Sequence, residues 1–391
     1  MSSSSASERS FHRVRLFGNV SSAMKRVYML AFALVVLVVL VLLAGAIWTQ
    51  VLAARAERDF PPEGRFFEVE GQRLHVVDRG SGAAIVLLHG AFGGSQDWTA
   101  TGILDELART HRVLAFDRPG HGWSERASTA AQSPMEQARV LRSACHAMGV
   151  ERPLLVGFSW GGSLVLAWAL AWPDEIAGVL TVNGVAYPWP GATNTSYVLA
   201  GLPIVGPLLA FTAAAPLGAL TADASVERAF APASVPSSFA YSPIALALRP
   251  RQFLAETADL RILKPAVAIQ ATRYAEISVP ISILAGRGDR VAHWDWHSQR
   301  LQRAVSQAEI TLPQAEITAP QAKISAPQAE MTAPQAEISA PQAKITVPQA
   351  KPFAPQVEFT VLEDAGHQVL HSHPRAVIEA VQRLAQRVAT R

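Results

Sequence analysis

Five short, continuous apolar runs, separated by stretches with helical periodicity, constrain the fold of this chain more than any other feature. They read AAIVLLHG, HRVLAFD, PLLVGFS, GVLTVNG and VPISILAG. An apolar run without polar alternation is typical of a strand covered on both faces, as parallel strands are. Alternation of such strands with helices predicts an α/β domain with a mostly parallel sheet. Right-handed crossovers bring the carboxyl ends of these strands to one edge, so functional residues are expected in the loops that follow them.

Two further segments complete the predicted domain. FFEVEGQRLHVVDRG alternates apolar and polar residues around Glu70 and Gly71, which predicts a two-stranded hairpin. Residues 188–277 lack the strand–helix alternation, are rich in Pro, Ala and Leu, and are too long for a simple loop, so a helical cap is predicted. Its apolar side chains either line a pocket or form the cap's own core. A second membrane span is not expected there, because Pro and Gly interrupt each apolar run.

Residues 27–48, VYMLAFALVVLVVLVLLAGAIW, carry no charged side chain. A helix needs about 20 apolar residues to cross a bilayer, so this run is predicted to be a transmembrane signal-anchor, with 1–26 as a basic tail and 49–64 as a linker. A cleaved signal peptide and a buried core helix are the alternatives. Because basic residues precede the run, the tail is expected in the cytoplasm. The domain at 65–391 is then expected on the extracytoplasmic side, which is the periplasm if the source is bacterial.

The overall charge is nearly balanced, with 34 Lys and Arg residues against 31 Asp and Glu residues. The basic excess is concentrated near the N-terminus, which argues against a nucleic-acid partner. The single cysteine, Cys145, excludes an intrachain disulfide and a zinc site built on several cysteines. We interpret it as a small buried apolar residue. The oligomeric state does not follow from the sequence.

The run LLVGFSWGGSLVLAW places Ser159 between a buried strand and an apolar helix. In a sharp strand-to-helix turn, glycines two positions before and after a serine, here Gly157 and Gly161, allow close backbone packing while the hydroxyl is presented at the sheet edge. Free N–H groups at the helix start favour developing negative charge. Ser159 is therefore the candidate nucleophile, and an ordinary helix cap is the alternative.

A nucleophilic serine needs a base to accept its proton and a third group to orient that base. Asp289 follows a strand in SILAGRGD, and His367 follows the last apolar strand in FTVLEDAGH. The chain order Ser, Asp, His is the one expected for a nucleophile elbow in the middle of a sheet. Asp364 lies too close to His367 along the chain to be the preferred acid. Asn183 ends another strand, but an amide cannot take the acid's role.

Other polar residues near these loops are given structural roles. Asp117 and His121, in DRPGH, are expected to shape a loop near the site. His293 and His297 are spaced one helical turn apart but lack a third ligand, so neither a metal nor any other cofactor is predicted.

From about Phe66 onward, the chain resembles the α/β-hydrolase superfamily, in its capped epoxide-hydrolase and haloperoxidase-like branch. Six motifs in family order carry the resemblance: QRLHVVDRGSG, LLHGAFGGSQDW, DRPGHGWSE, GFSWGG, GRGD and DAGH. The resemblance implies a catalytic triad and an oxyanion hole made of two backbone N–H groups. These residues are Ser159, Asp289 and His367 for the triad, and Ala91 and Trp160 for the oxyanion hole, with Phe92 as the alternative to Ala91.

Members of this branch that open epoxides or remove halides use an aspartate nucleophile, whereas this elbow carries a serine. The resemblance therefore implies acyl transfer through an acyl-enzyme on Ser159, with hydrolysis of a carboxylic ester as the first expectation. The apolar cap and the membrane anchor favour a lipophilic small-molecule substrate. Amidases, C–C bond hydrolases and haloperoxidases share the triad, and a non-catalytic ligand-binding protein on the same fold is a further alternative.

A seven-residue tandem repeat occupies residues 307–355, with phrases such as QAEITAP and QAKISAP. Its regular prolines exclude a coiled coil, because each costs about 3 kcal/mol inside a helix. Short extended pieces are expected instead. The phrase matches QVEFTV, which opens the last strand, so the repeat is interpreted as a tandem multiplication inserted on the sheet edge opposite the active site. A partner-binding or spacer arm is the alternative.

Overall fold

The computed structural model describes residues 22–126, 132–192, 195–237, 239, 244–311 and 357–390. Its centre is an 8-stranded sheet in the order β1-β2-β4-β3-β5-β6-β7-β8. Pairing is antiparallel between β1 and β2 and between β2 and β4, and parallel elsewhere. The strands are β1 (Arg65–Val69), β2 (Gln72–Arg79), β3 (Ala84–Leu88), β4 (Arg112–Phe116), β5 (Leu154–Phe158), β6 (Gly178–Val182), β7 (Ile281–Gly286) and β8 (Val357–Leu362). The predicted α/β fold with a mostly parallel sheet is confirmed.

Helices cover both faces of the sheet, and β3 shows why its sequence is continuously apolar. Val86 and Leu88 lie in a core with α4 (Pro134–Ala147) and α5 (Trp160–Ala171), while Ile85 and Leu87 lie in a second core with α3 (Ile103–Leu107) and α13 (Pro374–Ala389). The helices outside the cap are α1 (Ser22–Asp59), α2 (Gln96–Thr99), α3 (Ile103–Leu107), α4 (Pro134–Ala147), α5 (Trp160–Ala171), α11 (Ser298–Thr311), α12 (Val369–Ser372) and α13 (Pro374–Ala389).

The predicted hairpin is formed by β1 and β2. Glu70 and Gly71 connect the strands with φ values of 51° and 70°. Positive φ at both central residues is the requirement of the type I′ turn, whose twist matches that of the flanking strands.

Helices also make up most of the described part of the segment 188–277, between β6 and β7. They are α6 (Thr195–Ala200), α7 (Val205–Leu209), a π-helical turn (Ala210–Ala214), α8 (Ala215–Phe230), α9 (Ile244–Ala247) and α10 (Pro250–Ala271). Helical structure is continuous from α7 through α8, although Pro207 and Pro216 lie within it. Pro207 lies in the first turn, where its missing N–H has no partner to lose, and Pro216 lies in the first turn after the π-helical turn.

Two helical segments within the described ranges, Met24–Asp59 and Val205–Phe230, are long and apolar enough to cross a membrane. The second differs from the expectation that Pro and Gly would exclude such a length. α1 contains the uncharged run and continues through most of the stretch 49–64 that was expected to be a linker. Its Ala-rich continuation favours helix, and Thr49 and Ala56 on it are buried. Residues 1–21 of the predicted basic tail lie outside the described residues.

Most of the tandem repeat, residues 312–355, also lies outside the described residues. Its first residues, 307–311, are helical, which differs from the extended pieces expected. They continue α11 because the first proline of the repeat comes only at position 313. The chain re-enters the described structure at Val357, which pairs with Ile281 at the amino end of β7.

Candidate active site

Ser159 lies at the turn between β5 and α5 with φ 52°, a strained conformation for a residue with a side chain. Its backbone N–H donates to the carbonyl of Val182 at 2.9 Å. A Cβ atom at Gly161 would lie 2.5 Å from the carbonyl oxygen of Leu88, and one at Gly157 would meet the carbonyl of Gly161. Glycine is therefore required at both positions of the elbow for the backbone to pack this closely.

A hydrogen-bonded chain of three side chains begins at Ser159. Its Oγ lies 3.0 Å from Nε2 of His367, and Nδ1 of His367 lies 2.7 Å from Oδ2 of Asp289. Oδ1 of Asp289 accepts the backbone N–H groups of Val291 at 2.7 Å and Ala292 at 2.8 Å. All three side chains are buried. The three residues follow β5, β7 and β8, so they meet at the carboxyl edge of the sheet.

Asn183, just after β6, connects the loops of the acid and the histidine. Its Nδ2 donates to the carbonyls of Gly366 at 2.9 Å and His367 at 2.8 Å, and its Oδ1 accepts the N–H of Gly286 at 2.7 Å. The sequence excluded Asn183 as the acid but did not reveal this role. Asn183 follows β6, which lies between β5 and β7 in the sheet. That position was the signal in the sequence that could have indicated this role.

The turn after β3 lies directly against the elbow. A Cβ atom at Gly90 would lie 2.9 Å from Cβ of Ser159. Trp160 is the first residue of α5, so its N–H belongs to the first turn, where intrahelical partners are absent. The N–H of Phe92 donates to Oε2 of Glu256 in the cap at 2.8 Å. This engagement favours Ala91 over Phe92 as the second donor of an oxyanion hole.

Asp117, which was expected to shape a loop, is fully buried after β4. Its Oδ2 lies 2.8 Å from Nδ1 of His75 and accepts the N–H of Trp123 at 2.8 Å. Its Oδ1 accepts the N–H of Ser95 at 2.6 Å. Burial acts to raise the pKa of Asp117, but the hydrogen bond and charge of His75, with the N–H of Ser95, hold that pKa below its ordinary value.

Arg118, the next residue, is fully buried and connects three parts of the site. Its Nη1 donates to Oδ2 of Asp259 on α10 at 2.9 Å, and its Nη2 donates to the carbonyl of Gly90 at 3.2 Å. Its guanidinium carbon lies 4.1 Å from the centre of the Trp160 ring. One side chain therefore contacts the cap, the turn after β3 and the nucleophile elbow.

His121 pairs with Glu256, a buried acid of the cap, at 3.1 Å between Nε2 and Oε2. Burial lowers the pKa of His121 to about 3 and raises the pKa of Glu256. Nδ1 of His121 lies 3.1 Å from the carbonyl oxygen of Pro119. The sequence did not indicate Glu256 or Asp259, because α10 carries no motif.

The remaining candidates do not form a site. His297 is buried, which lowers its pKa to about 4, and its Nδ1 accepts the N–H of Tyr187 at 3.1 Å. Within the described ranges, no group of three or more His, Cys, Asp or Glu residues could hold a metal ion. Cys145 is buried, which raises the pKa of its thiol to about 12. Asp364 is exposed and lies 3.2 Å from His373.

Comparison with known proteins places this geometry in a family. The model of the α/β-hydrolase fold family matches residues 83–318. Haloalkane dehalogenase 2 of Mycobacterium bovis is 35% identical over 136 residues, which cover 34% of this chain and 46% of that protein. The 2-hydroxymuconate semialdehyde hydrolase of Pseudomonas sp. (strain CF600) is 30% identical over 136 residues, which cover 34% and 48% of the two chains. The chain spans about half the length of these curated relatives.

Among solved structures, an esterase from Exiguobacterium antarcticum has the same fold, with a TM-score of 0.57 at 15% sequence identity. The alignment covers 82% of this chain and 99% of the esterase. The resemblance to the α/β-hydrolase superfamily inferred from the six sequence motifs is thereby confirmed: the chain belongs to the α/β-hydrolase fold family.

Proposed function

We propose that the protein is a membrane-anchored serine hydrolase that cleaves a lipophilic carboxylic ester through an acyl-enzyme on Ser159. The observation that carries the proposal is the unbroken hydrogen-bonded chain from Ser159 Oγ through His367 to Asp289, with distances of 3.0 and 2.7 Å. This arrangement supplies a nucleophile, a base and a group that orients the base.

In the proposed reaction, Oγ of Ser159 attacks the ester carbonyl while Nε2 of His367 accepts its proton. Asp289 holds the Nδ1–H of His367 and stabilises the imidazolium that forms. The alcohol leaves with the proton from His367. A water molecule then attacks the acyl-enzyme while His367 accepts its proton, and His367 returns that proton to Oγ of Ser159 as the carboxylic acid leaves. Water is the only co-substrate required, and no cofactor takes part.

The N–H groups of Trp160 and Ala91 are the proposed donors to the oxyanion. Each such donor commonly contributes about 10² to 10³ in rate. Arg118 supports both, since it donates to the carbonyl of Gly90 and lies over the Trp160 ring. Its ion pair with Asp259 attaches this support to the cap.

A lipophilic ester is preferred for two reasons. The elbow carries a serine, whereas epoxide opening and dehalogenation on this fold need a carboxylate there. α1 carries a long exposed apolar surface, from Val27 to Val51, which fits an anchor in a membrane. Hydrolysis of a C–C bond is a second candidate, because the 2-hydroxymuconate semialdehyde hydrolase is 30% identical over the matched region.

A fluorophosphonate probe tests the proposal on the full chain in detergent. Covalent labelling of the wild type is expected, with complete loss in Ser159→Ala. The matched control is Ser163→Ala, one turn further along α5, where the hydroxyl donates to the carbonyl of Trp160; it should still be labelled. Folded wild-type protein that resists the probe would rule out the serine-hydrolase mechanism. Rates on p-nitrophenyl esters of increasing chain length, beside a 2-hydroxymuconate-type substrate, distinguish the two reactions.

A further inference from the structure

The cap carries an exposed apolar surface, which we call the cap tip. Its members lie on α6, on the turn after it, and on the helix from α7 into the π-helical turn. They are Val198, Leu199, Leu202, Ile204, Leu208 and Phe211, and each is more than two-fifths exposed. Large apolar side chains that are exposed together on neighbouring helices are disfavoured in water and mark an interaction site.

The cap tip lies beside the uncharged run of α1. A Cβ atom at Gly45 would meet the carbonyl of Thr212, so the backbones of α1 and the π-helical turn are in direct contact. Further along both helices, Leu52 and Ala215 line one cleft. Because the contacts follow the same order, the two helices run in the same direction. The amino-terminal end of the cap helix, with Ile204 before it, is therefore directed toward the apolar run.

Small residues permit this close approach. Gly45, Thr49, Ala53 and Ala56 recur on one face of α1, and Thr49 and Ala56 on this face are buried. Contacts of small residues at four-residue spacing are typical of helices that pack inside membranes, where backbones approach closely. The interface thus fixes the depth of the cap relative to α1.

We propose that the cap tip is inserted into the lipid bilayer beside α1, in the leaflet where α1 leaves the membrane. This inference rests on the proposed membrane anchoring of α1. Gly45 lies three residues inside the end of the uncharged run at Trp48, or about 4.5 Å along the helix axis. Residues before Thr212 on the cap helix extend deeper. Hydrocarbon suits this surface, because no Asp, Glu, Lys, Arg or His occurs between Ile176 and Ala222.

The opposite end of the same cap helix contacts the active site. The carbonyl of Ala229, near the end of α8, accepts the backbone N–H of His367 at 2.8 Å. One continuous helical segment therefore extends from the proposed bilayer contact to the loop of the catalytic base. A lipophilic ester dissolved in the bilayer would meet the cap without first passing through water.

Site-directed spin labelling of the full chain in phosphatidylcholine vesicles tests the proposal. Single nitroxides are introduced in a Cys145→Ala background at Ile204→Cys, at Leu37→Cys in α1, and at Arg109→Cys, whose side chain is exposed beyond the amino end of β4. Relaxation by oxygen, which partitions into lipid, is compared with relaxation by a water-soluble nickel chelate. The oxygen-to-nickel ratio at positions 37 and 204 should exceed that at 109 several-fold, with the circular dichroism spectrum unchanged.

Three outcomes would overturn the inference, and they differ from one another. Nickel access at 204 equal to that at 109, with 37 still oxygen-favoured, would show an anchored protein with its cap tip in water. Nickel access at both 37 and 204 would show that α1 does not lie in the bilayer, which would contradict both the proposed anchor and this inference. Protection of 204 from both reagents, with dipolar broadening between labels, would show that a second copy of the chain covers the cap tip.

Discussion

Two of the buried histidine–aspartate pairs in the described part of this domain, His367 with Asp289 and His75 with Asp117, have almost the same local geometry. Nδ1 of His367 lies 2.7 Å from Oδ2 of Asp289, and Nδ1 of His75 lies 2.8 Å from Oδ2 of Asp117. Each carboxylate also accepts two backbone N–H groups. Neither the pairing nor the burial therefore distinguishes a proposed catalytic pair from a structural one.

The difference lies at the second ring nitrogen. Nε2 of His367 faces the hydroxyl of Ser159 at 3.0 Å, whereas Nε2 of His75 accepts the backbone N–H of Gly64 at 3.0 Å. A hydroxyl can give up its proton to the imidazole, but an amide N–H only occupies the lone pair. The partner of the distal nitrogen therefore decides whether such a pair can do chemistry.

The largest expected effect comes from matched changes of the two acids. Asp289→Asn should lower kcat for ester hydrolysis by about 10⁴-fold, because the amide no longer holds the required tautomer of His367. Asp117→Asn should keep kcat within a few-fold but lower the free energy of unfolding by about 1–3 kcal/mol, since buried donors lose their ionised partner. Steady-state kinetics and urea denaturation of both variants measure these effects.

The pH dependence of stability extends this test. The pKa of Asp117 is lowered in the folded protein from the ordinary value of 3.8. Its ionisation therefore stabilises the fold above pH 3.8, and this contribution is lost as the pH falls through the lowered pKa. Asp117→Asn should lose less stability than the wild type on acidification. A large loss of kcat in Asp117→Asn at full stability would contradict the division between the two pairs.

The sequence predicted the sheet and the positions of the candidate triad because these are local patterns. Ser159, Asp289 and His367 each follow an apolar run, and parallel strands bring such ends together. The hydrogen bonds and ion pairs between the cap and the core could not be predicted from local patterns. Arg118 and Asp259 lie 141 positions apart, and no periodicity of α10 indicates that its acid meets a buried guanidinium. The same limit applies to contacts of α1 with the cap.

An intermediate effect is expected from the residues that tie each pair together. Asn183 bonds to the loop of His367 and to Gly286 before Asp289. In the second pair, Ser124 Oγ accepts the N–H of His75 at 2.9 Å and donates to the carbonyl of Asp117 at 2.7 Å. Asn183→Ala should lower kcat by about 10²-fold, since small displacements of catalytic groups cost this much. KM should stay unchanged, because Asn183 positions the pair rather than the substrate.

Ser124→Ala is the control for that variant. It removes comparable hydrogen bonds from the His75–Asp117 pair, whose histidine does not face a hydroxyl group. It should lower the free energy of unfolding by about 1 kcal/mol and leave both kcat and KM unaffected. Equal losses of kcat in the two variants, measured at a temperature where both are folded, would indicate that Asn183 acts only through global stability.

The smallest effect is expected from excision of residues 307–355, which lie between the acid and the histidine of the first pair. The described chain leaves α11 at Thr311 and re-enters at Val357, at the amino end of β8, whereas His367 follows the carboxyl end of that strand. The point where the insertion joins β8 and the loop that carries His367 are at opposite ends of this strand. The strand has 6 residues, so they are about 20 Å apart. The entropic free-energy cost of closing a flexible connection changes by only about 0.6 kcal/mol for each halving of its length.

The excised chain should therefore keep kcat, fluorophosphonate labelling and thermal midpoint close to those of the wild type. Removal of 307–311 shortens α11 by its last turn, while the buried residues Leu301 and Val305 that pack this helix on the sheet remain. The His75–Asp117 pair, whose connecting segment is untouched, serves as the internal control. Its readout is the loss of folding stability at acidic pH that is attributed to Asp117. A fall in kcat without a change in that stability would mean that the insertion supports the His367–Asp289 geometry across the sheet.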